Sequence, residues 1–181
     1  MKKYAPLAML LIVCILLSAC GNASSGITIT DFENAFREVD SSISFRKVKT
    51  DDGYTFQYTQ KQSFGDDITY TGVSDANENV ISISVTYKDV DISILRSTSK
   101  LSDLVSKNAL DLYLSEYYTL SCVMGITCLR EALSKDNSNI TPSAFHSEVV
   151  SLFSGKSVKI DKWTITAKYS SDTVTITAQF N

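Results

Sequence analysis

The chain has 181 residues, 44% of them apolar and 20% charged, with 17 basic and 20 acidic groups and a formal charge of −3. An acidic balance excludes a chain that holds nucleic acid or anionic lipid through bulk electrostatics. Only two prolines and seven glycines occur, so long disordered segments are not expected, and the length suits one domain with a sizeable core.

The first residues have the three parts of an export signal: basic Lys2 and Lys3, an apolar stretch from Leu7 to Leu17, and small residues at the end. The closing run Leu17-Ser18-Ala19-Cys20 resembles the lipobox of bacterial lipoproteins at all four positions. The resemblance implies that the Cys20 thiol receives a diacylglycerol and that residues 1–19 are removed as a signal peptide. The mature chain then begins at Cys20, lipid-anchored on the extracytoplasmic face of the cell membrane. The apolar core falls short of the roughly 20 residues needed to span a bilayer, and two or more acyl chains anchor stably where one holds only marginally. Removing residues 1–19 takes Lys2 and Lys3 and no acid, which leaves 15 basic groups against 20 acidic ones and a formal charge of −5.

Residues 20–28 read as the lipidated cysteine and a leash, because Gly21, Asn22, Ala23, Ser24, Ser25 and Gly26 are too small and polar to pack. Residues 29–181 read as a single globular domain. Thr30 and Glu33 have capping-box spacing, and Phe32, Phe36 and Val39 recur at helical intervals, which predicts a helix from about Asp31 to Asp40. Alternation follows: Ile43 and Phe45, the turn Asp51-Asp52-Gly53, then Tyr54, Phe56 and Tyr58, a β-hairpin. Two more strands place Ile68 and Tyr70, then Ile81, Ile83, Val85 and Tyr87, on one face, joined through Asp75-Ala76-Asn77-Glu78-Asn79.

From about Leu101 to Leu133 the period becomes helical, in one piece or two. The stretch Thr119 to Leu129 carries no charge, which predicts a buried central helix. Thr141-Pro142 opens a further helix with Phe145, Val149, Leu152 and Phe153 on one face and Gly155 past its end. A last hairpin sets Trp163, Ile165, Ala167 and Tyr169 beside Val174, Ile176, Ala178 and Phe180, with Ser170-Ser171-Asp172 as its turn. The fold class expected is α+β, one antiparallel sheet of about six strands with helices packed on one face. The opening helix and four strands are similar to the cystatin-like layout, a topological likeness that implies no activity.

Four cysteines occur. Cys14 leaves with the signal and Cys20 is the lipid site, so Cys122 and Cys128 remain in the folded part. Six residues along one helix is about 9 Å of rise, beyond the roughly 7 Å between Cα atoms that a bridge spans. A disulfide therefore needs a helix break near Gly125, whereas two buried thiols need none.

The chain carries no catalytic, cofactor or metal motif. Gly155-Lys156-Ser157 resembles the end of a phosphate loop, but the earlier glycine falls at Val150 and the strand-to-helix order is reversed. Asp75, Asn77 and Asn79 imitate a calcium loop, yet Val80 stands where glycine must turn the chain and Thr86 where the bidentate acid belongs. His146 is the only histidine, which excludes zinc held by several imidazoles, and its place on the polar side of its helix predicts a solvated side chain. Asp51-Asp52 and Asp66-Asp67 sit in predicted turns.

The outward face of the sheet is the candidate site. Thr55, Gln57, Thr59, Thr69, Thr71, Ser82, Ser84, Thr86, Thr164, Thr166, Thr175, Thr177 and Gln179 all alternate away from the apolar face, with Lys168 the one charge in the set. Threonine favours any exposed strand, but a merely solvated sheet is expected to mix in lysine and glutamate. Hydroxyls and amides on a stiff sheet can exchange hydrogen bonds with a protein, a peptide edge or a glycan of the cell envelope. The expectation is a tethered binding or accessory module with the membrane and such a partner, not nucleic acid. A structural or inhibitory envelope protein and a hydrolase using scattered acids with His146 are the alternatives.

Overall fold

Reciprocal hydrogen bonds start the first helix. The Thr28 backbone N–H donates to the Asp31 carboxylate at 2.7 Å, and the Asp31 N–H donates to the Thr28 hydroxyl at 3.2 Å, a capping box two residues ahead of the expected one. In a computed structural model of the protein, which describes residues 24–37, 41–61, 67–107, 116, 119, 121–123, 126, 129, 133 and 142–181, α1 therefore spans Ile29–Arg37. The earlier start is set by burial, since Ile29, Phe32 and Phe36 form one buried stripe while Thr30 stays exposed. Glu33, freed from capping, accepts from the Phe45 N–H at 2.8 Å and pairs with Arg37 at 2.7 Å. Arg37 Nε in turn donates to the Ile43 carbonyl at 2.8 Å, so Ile43 and Phe45 are held beneath the helix as buried residues ahead of the first strand.

The strands are β1 (Arg46–Lys49), β2 (Gly53–Gln60), β3 (Ile68–Asp75), β4 (Val80–Tyr87), β5 (Val158–Ile160), β6 (Trp163–Ser170) and β7 (Thr173–Phe180). They form one sheet in the order β1-β2-β3-β4-β7-β6-β5, and every neighbouring pair is antiparallel. The count is seven rather than about six. The extra strand is β5, whose three residues are too few to show a period. Pairing of β4 with β7 joins the two halves of the chain into one surface.

One face of this sheet is apolar. Phe56, Tyr70, Ile83, Val85, Trp163, Ile165, Ile176 and Ala178 are buried there, in one core with Phe32 and Phe36 of α1. Aromatic edges organise it: Trp163 meets Phe32 at 6.0 Å and Phe180 at 5.3 Å, and Phe45 meets Phe56 at 5.1 Å, each near perpendicular. Gly72 pairs with Phe56, and a Cβ there would lie 2.1 Å from the Phe56 ring. The bare backbone at Gly72 is thus the floor on which that ring lies.

Among the described residues, α2 (Ile92–Leu95), α3 (Thr98–Ser106) and α4 (Pro142–Phe153) follow the four-stranded part. Between α3 and α4, Thr119, Cys122, Val123, Ile126, Leu129 and Leu133 are helical and buried, at the spacing of one helix face. Of the uncharged segment, the described residues Thr119, Cys122, Val123, Ile126 and Leu129 are buried and Ser121 is partly so. Thr119 has a polar task there: its hydroxyl accepts from the Asp91 N–H at 3.0 Å. Asp91 then caps α2, accepting from the N–H groups of Ser93 at 2.9 Å and Ile94 at 3.3 Å. The short α2 and the start of α3 at Thr98 lie ahead of the expected helical region. Gly155, with φ of +86°, ends α4 as its N–H and that of Lys156 return to the carbonyls of Leu152 and Ser151.

Two inward expectations fail. The register slips between β3 and β4, pairing Val73 with Ser82 but Ser74 with Val80, so Ile81 is the extra residue of a β-bulge. Val80 takes the buried place and Ile81 is 37% exposed. Tyr169, at the far end of β6, is 38% exposed, and the Arg96 guanidinium lies 4.1 Å from its ring centroid.

Candidate functional site

The outward positions are brought together by register. Antiparallel partners share a face, so a row can be followed across the sheet from pair to pair. One row runs Arg46, Gln57, Thr71, Ser84, Thr177, Thr166. The next runs Val48, Thr55, Val73, Ser82, Gln179, Thr164, Lys159 and crosses all seven strands. The third runs Thr59, Thr69, Thr86, Thr175, Lys168. All the hydroxyl and amide residues singled out from the sequence therefore lie on one continuous face, and none is diverted into the core.

The rows also contain residues that alternation alone did not place there. Arg46 and Lys159 enter from the two edge strands, because β1 begins later than expected and β5 was not foreseen. Val48 and Val73 are exposed by 49% and 42%, and the bulge adds Ile81 beside Val73. With Lys168, the face holds three cations, three apolar side chains and no carboxylate in any of these positions. Among the described residues Arg46, Lys159 and Lys168 form no ion pair, whereas Lys47 bonds both oxygens of Glu78 at 2.8 Å and Lys107 meets Glu116 at 2.6 Å.

Neighbouring hydroxyls in the rows touch. Ser84 and Thr177 are 2.8 Å apart, and Thr86 and Thr175 are 3.1 Å apart, with either oxygen able to donate. Such a pair uses one hydrogen between two hydroxyls and keeps a second donor and spare lone pairs for a ligand. Gln179 Nε2 donates to the Ile81 carbonyl at 3.3 Å, and Asn181 Nδ2 to the Thr164 hydroxyl at 2.7 Å. The face is thereby held in one arrangement without being fully satisfied.

The sheet edges offer less. β1 reads Arg-Lys-Val-Lys, exposed throughout, and β5 is three residues long with Lys159 at its centre, both features that discourage pairing with another strand.

Other candidates resolve into structure. The Asp75 carboxylate accepts from the N–H groups of Asn77 at 2.9 Å and Asn79 at 2.8 Å and from Asn79 Nδ2 at 2.9 Å, so the calcium-like run is a self-closed turn, with Glu78 at φ of +64°. Gly155-Lys156-Ser157 follows a helix and is exposed. Asp51 and Asp52 are exposed at the β1–β2 turn, and Asp67 pairs with Lys61. Cys122 has a free thiol that burial pushes far up from its ordinary pKa, leaving it protonated and inert. A dent between α4 and β5, lined by Ile126, Glu148, Leu152, Val158, Ile160 and Ile165, has room for no more than a water-sized group. Among the described residues no three His, Cys, Asp or Glu side chains are grouped to hold a metal ion, and no helix is long and apolar enough to cross a membrane. Cys20 and the rest of the lipobox, Asp66, Cys128 and the His146 side chain lie outside the described residues.

The chain's entry to the fold is firmly placed. Ile27 is buried, its carbonyl accepts from the Val80 N–H at 2.8 Å, the Ile29 N–H donates to the Glu78 carbonyl at 3.1 Å, and Thr28 bridges to Asn79. Ile27 and Thr28, read from the sequence as leash, are thus joined to the β3–β4 turn. No family model matches the chain, and no curated protein or solved structure matches it.

Proposed function

We propose that the chain is a lipoprotein tethered through Cys20 to the extracytoplasmic face of the cell membrane, and that it binds a partner there with the outward face of its sheet. The observation that carries this reading is the continuity of the three rows. Hydroxyls and amides are spread over the strands in register and are flanked by cations that form no ion pair among the described residues, and no carboxylate stands in the rows. An exposed face under selection for solubility alone is expected to carry both signs of charge.

The tether supports the same reading through orientation. Ile27 joins the end of the sheet that holds the β1–β2, β3–β4 and β5–β6 turns, so a lipid on Cys20 attaches at that end and not on the outward face.

The test is crosslinking capture of envelope partners by the lipidated protein beside a Thr166→Glu/Thr177→Glu variant of verified fold. The reading expects a specific partner that the variant loses; equal capture by both proteins removes the outward face from consideration. Replacement Cys20→Ser should release the protein from membranes, and continued sedimentation with them would refute the lipid anchor.

A further inference from the structure

We propose that the outward face holds an acidic polysaccharide laid across the strands, an inference that rests on the tethered binding module above and names its ligand class. Charge points to the ligand first. The chain carries 20 acidic groups against 17 basic, yet the outward rows hold Arg46, Lys159 and Lys168 and no acid. A polyanion is repelled by the bulk of this molecule and accepted on this one face, so the acidic surroundings act as a guide to the site. Arg46 on β1 and Lys168 on β6 stand at opposite sides, five strand spacings apart, roughly 24 Å at the ordinary separation of strands. Two cations so far apart suit a polymer bearing repeated charge better than a small anion.

What lies between the cations argues for a sugar backbone. Hydroxyl pairs such as Ser84–Thr177 and Thr86–Thr175 offer donors and acceptors together, as sugar hydroxyls require. Along each row, hydroxyl and amide residues follow one another from strand to strand at about 4.8 Å, close to the length of one pyranose unit. Val48, Val73 and Ile81, exposed by 49%, 42% and 37%, supply apolar contacts for the C–H faces of such rings. No aromatic side chain stands in the rows, so stacking of nucleic-acid bases has no platform.

Calorimetric titration of the mature full-length protein in detergent micelles tests this, with galacturonate hexamer and trimer, a neutral dextran hexamer and inorganic polyphosphate as probes. The proposal expects the galacturonate hexamer to bind and to weaken with salt, and the trimer, too short to reach both cations, to bind at least about tenfold more weakly. Arg46→Glu/Lys168→Glu should lower hexamer affinity by about tenfold or more with an unchanged unfolding midpoint. A hexamer that does not bind, that binds the double variant equally well, or that is matched by dextran or polyphosphate overturns it. The capture experiment separates the two levels. A partner lost with Thr166→Glu/Thr177→Glu but kept with Arg46→Glu/Lys168→Glu preserves the binding face and overturns the polysaccharide, and a partner kept by both variants overturns both.

Discussion

On β4, Ile83, Val85 and Tyr87 are buried while Ser82, Ser84 and Thr86 between them stand on the opposite face. On β7 the same is true of Val174, Ile176 and Ala178 against Thr175, Thr177 and Gln179. Both faces come from one backbone with a period of two, so their difference is entirely one of side chains. The inward face is fixed by volume: rings meet edge to edge and Gly72 is bare because Phe56 occupies the space above it. The outward face has no such steric demand, and its uniformity in small hydroxyl groups cannot be ascribed to packing. That asymmetry is what makes the outward face a candidate surface and the inward one a scaffold.

Removing the largest inward side chain should break the comparison most severely. Trp163 is 2% exposed and contacts Phe32 and Phe180, so Trp163→Ala is expected to cost about 3–5 kcal/mol, read as a lower urea midpoint at constant slope. A loss below about 1 kcal/mol would mean that the site collapses around the missing ring. Val85→Thr is the chemical counterpart. Val85 is completely buried between Tyr70 and Ile176, and an added hydroxyl there is expected to cost about 1–3 kcal/mol at nearly unchanged volume.

Much of this was legible before any coordinates, and the failures are local. Nine outward threonines, two glutamines and two serines on five strands follow from alternation that persists for eight residues at a time. β5 escapes because three residues carry no period, and with it went Lys159. Ile81 was assigned inward because a bulge shifts the phase without leaving a mark in the hydropathy pattern. Thr28–Asp31 and Thr30–Glu33 are two threonine–acid pairs of equal spacing, and only the need to bury Ile29 decides between them. The pairing of β4 with β7, close to a hundred residues apart in the chain, has no local signal at all. It is this pairing that turns two Thr-rich patches into one surface, so the site's residues were readable and its extent was not.

A cap tests the frame that holds the inward face. Asp91 accepts from the Ser93 hydroxyl at 2.6 Å and from two N–H groups of α2, and the bond from Ser93 leads the causes that hold its carboxyl below the usual value of 3.8. Asp91→Ala is expected to cost about 1 kcal/mol at neutral pH. Because the folded state lowers this pKa, its contribution is present above the unfolded value and fades as pH falls through the folded one. The gap between wild type and variant should therefore close in acid. A gap that does not narrow at all as the pH is lowered would assign the loss to packing rather than to the ionised cap.

The smallest expected effect sharpens the comparison most, because it is made one residue away from Val85. Thr86→Val keeps the shape of the side chain and removes its 3.1 Å contact with the Thr175 hydroxyl. Valine suits a strand as well as threonine does, and a half-exposed hydroxyl bond returns little net energy because water replaces it. Stability should stay within about 0.5 kcal/mol of wild type, while Val85→Thr, the reverse change on the adjacent residue, is costly. If Thr86→Val proves as damaging as Val85→Thr, the outward hydroxyls belong to the scaffold, and their rows are explained by folding. If it is neutral for folding but weakens ligand capture, the hydroxyl at Thr86 is maintained by what it meets outside the molecule.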